Sequence, residues 1–221
     1  MIAAGVPVDL PVDLPVLAAF VAATLLLVLS PGPDTMLILR YTTGSGRATG
    51  LATVAGVQTG LAVHTFAAAA GLSLLVAASP AALGAVATAG AAYLAWLGWQ
   101  SFRAGVLPLD RVAGQARIGP LRAWRDAMLT NLLNPKVVLL FLALMPQFLR
   151  PNGWSVPAQT AVLGVTLILV NTVWQTVVAL LADAVRRWLG HPLVQRAVSW
   201  ATGAVLIGFA VLMLRDFVFG G

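Results

Sequence analysis

Two charged side chains stand inside otherwise apolar stretches of this chain. Asp34 follows Ser30-Pro31-Gly32-Pro33, and Lys136, the single lysine among 13 basic residues, follows Asn134-Pro135. A carboxylate can hold an ammonium and an ammonium can hold a carboxylate, so the pair is suited to binding the two ends of an amino acid. A charge inside a bilayer costs about 2.5–3.5 kcal/mol on insertion scales, so each must face the protein interior and find partners there. A plainer reading stands beside this one. An Asp34–Lys136 ion pair, or a contact of Lys136 with free carbonyls, would merely pin two helices, and a gating pair would satisfy both readings.

The elements that must position these charges are interrupted helices. Ser and Asn are good N-caps, proline suits the first helical position, and proline inside a helix removes a backbone bond. Ser30-Pro31 and Asn134-Pro135 therefore predict helices that stop and restart, with breaks at Pro31 and Pro33 and at Pro135, and Gly32 adds backbone freedom. Each restart leaves unpaired N–H groups and a positive dipole end, which suits a carboxylate. The substrate-binding candidates are thus Asp34, Gly32, Pro33, Asn134 and Lys136, with Asn131 three residues before Asn134 lining the same break. Asn171, Trp174 and Gln175, at i, i+3 and i+4, read either as a cavity wall or as an amide pair joining helices. Gly56, Gly60 and His64 recur every four residues, with Gln58 and Thr59 beside them, and glycines at that spacing let helices approach closely. His64 is either a proton carrier near neutral pH or a buried neutral histidine. Asp34 and His64 are the candidates for proton coupling. No catalytic residue, metal or cofactor is expected.

Composition says where these helices lie. The chain is 60% hydrophobic and 9% charged, with a mean hydropathy of +0.93, whereas a soluble domain carries about 25% charged residues. Several apolar runs reach about 20 residues, enough to span a bilayer. An all-α integral membrane protein follows, one transmembrane domain over residues 1–221. Six spans are expected, roughly Pro15–Leu39, Ala48–Val76, Ala81–Phe102, Ala123–Leu149, Val156–Leu181 and Leu193–Leu214. Span parity and the paired breaks suggest two inverted three-helix repeats, 15–103 and 123–216, joined by a cytoplasmic basic connector, 103–122. Met1–Pro15 holds Asp9 and Asp13 and no basic residue, unlike a secretory signal. There is no cysteine, which excludes disulfides and thiol chemistry.

The net charge of +6 points to topology rather than to nucleic acid. Arg40, Arg47, Arg103, Arg111, Arg117, Arg122, Arg125, Arg186, Arg187 and Arg196 fall in or beside the odd-numbered connectors, leaving only Arg150 and Arg215 for the other side. By the positive-inside rule those connectors face the cytoplasm and both termini face outward. Trp99, Trp124 and Trp188 lie beside the arginines, where an interfacial belt belongs.

Ser30-Pro31-Gly32-Pro33-Asp34-Thr35 and Asn131-Leu132-Leu133-Asn134-Pro135-Lys136, the latter followed by Phe141 and Pro146-Gln147-Phe148, resemble the LysE/RhtB family of amino-acid exporters. The likeness runs along essentially the whole chain, and its characteristic residues map onto Pro31, Gly32, Pro33, Asp34, Asn134, Pro135 and Lys136. It implies secondary transport, namely export of amino acids or close derivatives from the bacterial cytoplasm through the plasma membrane, by proton antiport and alternating access. Family substrates include lysine and arginine, homoserine and threonine, and aliphatic residues, and the motifs do not separate them. The repeated Pro-Val-Asp-Leu of 7–10 and 11–14 departs from the family pattern. The alternatives are a membrane-embedded enzyme, for which no hydrolase, zinc-protease or Walker motif is present, and an ion exporter or channel, for which only Asp34 and His64 are on offer. Monomer and homo-oligomer both remain open.

Overall fold

The computed structural model describes residues 12–30, 32–78, 80–103, 117–150 and 154–219, and all regular structure among them is helical. The expectations for Pro31, for the first Pro-Val-Asp-Leu copy and for most of the basic connector lie outside the described residues. The helices are α1 (Leu14–Leu29), α2 (Pro33–Ser45), α3 (Arg47–Ala78), α4 (Pro80–Arg103), α5 (Pro120–Leu132), α6 (Pro135–Leu139), α7 (Val156–Leu180), α8 (Ala182–Gly190) and α9 (Pro192–Phe219). Three of them are long and apolar enough to cross a membrane unaided, over Arg47–Gly71, Val156–Leu180 and Pro192–Leu212. Two bent pairs raise the number to five if each pair is one span: α1 with α2 at 55°, and α5 with Lys136–Phe148 at 58°.

Local chemistry explains both bends. Gly32 is the N-cap of α2 in extended backbone (φ −129°, ψ −173°), and Pro33 occupies the first turn. The residue before a proline is pushed out of the α region, so α1 cannot run on through Gly32. The N-cap therefore sits two residues later than Ser30-Pro31 predicts, and Ser30 ends α1 instead. Gly32 is not needed for backbone freedom either. Its φ is open to any residue, and a Cβ there would meet nothing within 4 Å. At the second bend Leu133 takes bridge-region angles (φ −90°, ψ 0°) and Asn134 caps α6. The chain then loosens into a π-helical turn over Leu140–Leu144 and a 3-10 turn over Met145–Phe148.

Other boundaries differ from the apolar runs. α2 continues to Ser45, through residues whose composition reads as a connector, and α8 forms within what reads as the fifth connector.

Packing makes the two bent pairs neighbours. α2 touches α5, and α1 touches the 3-10 turn. α3 lies against α5 and α7, and α4 pairs with α9. Phe148 sets its ring edge-on to both Phe20 (5.0 Å) and Phe209 (5.8 Å), tying α1 and α9 to the second bent pair. Such edge-to-face pairs add about 0.5–1.5 kcal/mol beyond burial.

Polar clasps close both ends. Tyr41 Oη donates to Asp126 Oδ2 at 3.1 Å, with Arg122 and Arg125 flanking that carboxylate at 3.6 and 3.8 Å. At the other end Arg150 meets Asp13 at 3.3 Å, and buried Gln159 bonds the backbone of Arg150 and Trp154. The arginines are largely exposed, so these pairs orient the chain more than they stabilise it.

Candidate functional site

A cavity of about 580 Å³, its open mouth included, lies where the two bends meet. Gly32, Pro33, Asp34 and Thr35 line it from α2, and Asn131, Asn134 and Lys136 from the second bend. Asn171 and Gln175 contribute from α7, and Leu27, Leu61 and Leu167 supply apolar wall. Eight of the nine substrate-binding candidates read from the sequence therefore share one space.

Two features give the cavity its chemistry. Asn131 Nδ2 donates to Asp34 Oδ2 at 2.9 Å, which fixes the carboxylate across the two bends. Asp34 Oδ1 is buried with no hydrogen-bond partner, and so is Asn131 Oδ1. Buried polar atoms are nearly always satisfied, so the unpaired Asp34 Oδ1, on a residue that lines the cavity, marks a place where a ligand's donor belongs. Lys136 is the second feature. The ion pairs among the described residues engage Asp126 and Asp13, and none within 4.0 Å joins Lys136 to Asp34. The pinning ion pair is thus not formed. Beyond Lys136 lies a smaller void of about 240 Å³ whose other walls are all leucine.

The second restart differs from its expected role. Asn134 Oδ1 accepts from Lys136 N at 3.0 Å, and Asn134 O accepts from Val137 and Val138 N. Pro135 has no N–H, so this helix end keeps no free amide for a carboxylate. The Lys136 ammonium remains as the cation there. No side chain caps α2.

Trp174 does not line the cavity. At about 100° per residue it stands about 100° round the helix from Gln175, which turns it toward the Ile38 cluster and the Trp188 ring at 6.4 Å. His64 also lies behind the wall, stacked on Phe141 at 5.6 Å, with Nε2 3.3 Å from the Asn131 carbonyl oxygen.

Gln58 is the residue that sequence reasoning left in the background. Its Nε2 donates to Gln175 Oε1 at 2.9 Å, and its Oε1 accepts from Asn171 Nδ2 at 3.5 Å. An amide inside an apolar run was visible, but its partners a hundred residues away were not. Gln58→Ala leaves the amides of Asn171 and Gln175 short of partners, each worth about 1–3 kcal/mol when buried. The expected result is a lower melting temperature in detergent and weaker transport; wild-type values for both would show that the network is dispensable.

Among the described residues no group of three His, Cys, Asp or Glu side chains is placed to hold a metal ion.

Comparison with known proteins bears on this site. The family described as LysE type translocator matches residues 25–216. The chain is 35% identical over 196 residues to a homoserine/homoserine lactone efflux protein of Salmonella typhimurium, covering 88% of this chain and 94% of the relative. It is 32% identical over 203 residues to an uncharacterized membrane protein, YrhP, of Bacillus subtilis, with 88% and 96% covered. A leucine efflux protein of Salmonella choleraesuis is 26% identical over 192 residues, with 86% and 91% covered. No solved structure matches the chain.

Proposed function

Because the chain belongs to the LysE-type translocator family, we propose that it exports amino acids or close derivatives across a bacterial cytoplasmic membrane as a secondary transporter. The observation that carries this reading is the charge arrangement of the central cavity. It offers a buried acceptor without a donor, Asp34 Oδ1, and a cation that no ion pair within 4.0 Å engages among the described residues, Lys136. An amino acid brings what is missing at both ends. Its ammonium has three donors and no acceptor, and its carboxylate answers Lys136. The relatives named for homoserine and for leucine efflux support the same class of cargo.

The finer mechanism belongs to the same proposal. Each bent pair is one span, opening one of two inverted three-helix halves, and the arginine-rich end faces the cytoplasm with both termini outside. The bends rock around the cavity to expose it alternately to each side. Export is coupled to proton entry at Asp34, since a proton on that carboxylate removes its hold on the ammonium. His64, which meets the backbone of the same Asn131 whose side chain holds Asp34, is the second candidate for the coupling proton.

The test is efflux from proteoliposomes loaded with a panel of amino acids, with and without an imposed pH gradient. Efflux of one or more amino acids, accelerated when the receiving side is acidic, is expected. No efflux of any member sinks the export reading, and equal efflux without the gradient sinks proton antiport alone.

A further inference from the structure

We propose that a second cavity, between α2, the start of α3 and α8, is a loading site that holds the amino acid before it reaches the Asp34–Lys136 pocket. The inference rests on the export reading and adds a binding site to it. The cavity measures about 780 Å³ with its open mouth. Thr42, Thr43, Arg47, Asp183 and Arg187 give it its polar wall.

The charges around it match a zwitterion. Asp183 and Arg187 stand four residues apart on α8 and so share a face, and Arg47 approaches from α3. No ion pair among the described residues engages any of the three. One carboxylate and two guanidiniums around one opening suit an ammonium and a carboxylate held a few ångströms apart. A guanidinium grips a carboxylate through two parallel N–H bonds, a geometry that lysine lacks.

Position distinguishes this opening from an ordinary charged rim. Both cavities lie on the seam between α2 and α7. On α2, Thr35 lines the first and Thr42 the second, about 10 Å further along; on α7, Gln175 and Ala179 do the same, about 6 Å apart. Between them Ile38, Leu39 and Val178 are fully buried in one apolar cluster. The seam therefore runs from a charged opening, through a closed apolar layer, to the central pocket. A ligand released inward from the opening has the pocket directly ahead of it.

A lipid headgroup bearing phosphate and ammonium shares this chemistry, and the experiment separates the two. Transport is measured with amino acid supplied at the arginine-rich face, in vesicles made with or without phosphatidylethanolamine. The variants are Asp183→Asn, Arg47→Lys and Arg187→Lys. The lysines keep the positive charge that sets orientation while losing the bidentate grip. Loss of a charge-assisted bond predicts about a tenfold rise in the half-saturating amino-acid concentration, with a much smaller change in maximal rate and in both lipid mixtures. Arg196→Lys, at the same end but outside the cavity, keeps the wild-type value. Wild-type half-saturation in all three cavity variants overturns the loading site, and so does a rise seen only with phosphatidylethanolamine. A wild-type protein that moves no amino acid removes the export reading and this inference with it. Export that is lost in Asp34→Asn yet untouched in the cavity variants leaves the export reading standing alone.

Discussion

Asp34→Asn and Lys136→Ala each cut efflux severely while the protein stays folded in the membrane. Asparagine keeps the shape of Asp34 and can still meet the Asn131 amide, so the change removes charge and little else. An ammonium in the cavity then loses the one anionic partner among the described lining residues. Lys136→Ala removes the one cation among the described residues that line the cavity. Charged hydrogen bonds are worth about 1.5–3 kcal/mol each, so either loss lowers transport by about tenfold to a hundredfold or more. Stability is the discriminating readout. A pair that pinned two helices would leave a buried charge stranded when one partner was removed, at a cost of about 3–5 kcal/mol. No ion pair within 4.0 Å joins Asp34 to Lys136, and each charge is costly where it stands, at about 2.5–3.5 kcal/mol. The melting temperature of either variant is therefore expected to hold or to rise while efflux falls. Normal efflux in both variants, or a collapse of stability in step with efflux, would falsify the assignment of this cavity as the binding site.

Much of that site was legible in the sequence because its signals are local. A proline after serine or asparagine, followed within three residues by a charge, is readable wherever the charge is expensive. That pattern picked out Asp34, Asn134 and Lys136, and the neighbouring Asn131, before any packing was known. The all-helical membrane character was legible for the same reason, since apolar run length needs no tertiary information. What escaped depends on which helices are neighbours. Gln58 joins the site because α3 lies between α5 and α7, and no spacing within α3 says so. Trp174 was grouped with Asn171 and Gln175 because three residues near one face look alike until a partner helix selects one edge of it. The second restart appeared to offer free amides, yet the N-cap that makes Asn134 a good helix starter is the group that consumes one of them. The same residue type carried both expectations, and only geometry chose between them.

Gly56→Ala is expected to break the packing of α3 on α5 and to deplete folded protein from the membrane. A Cβ at Gly56 would stand 2.1 Å from the Trp124 carbonyl oxygen, which is backbone and cannot swing aside. The helices must separate, and overpacking of this kind costs about 1–3 kcal/mol or more. Alanine recovers only about 1 kcal/mol of helix propensity over glycine, so the clash decides the sign. Gly71→Ala is the control on the same helix, because its Cβ would meet nothing within 4 Å and propensity alone acts there. Gly60→Ala falls between the two. Its Cβ would press on Asn131, 2.6 Å from Oδ1 and 2.9 Å from Cβ; the amide can swing aside, and the Cβ contact asks for a smaller backbone shift than the Trp124 carbonyl does. Asn131 then moves off Asp34, so this variant keeps more folded protein than Gly56→Ala while losing transport out of proportion to stability. Melting in detergent and efflux per folded molecule, read on all three variants, check this ordering. Equal behaviour of Gly56→Ala and Gly71→Ala would mean that α3 and α5 part without cost, and the close approach that holds Asn131 against Asp34 would no longer explain the site.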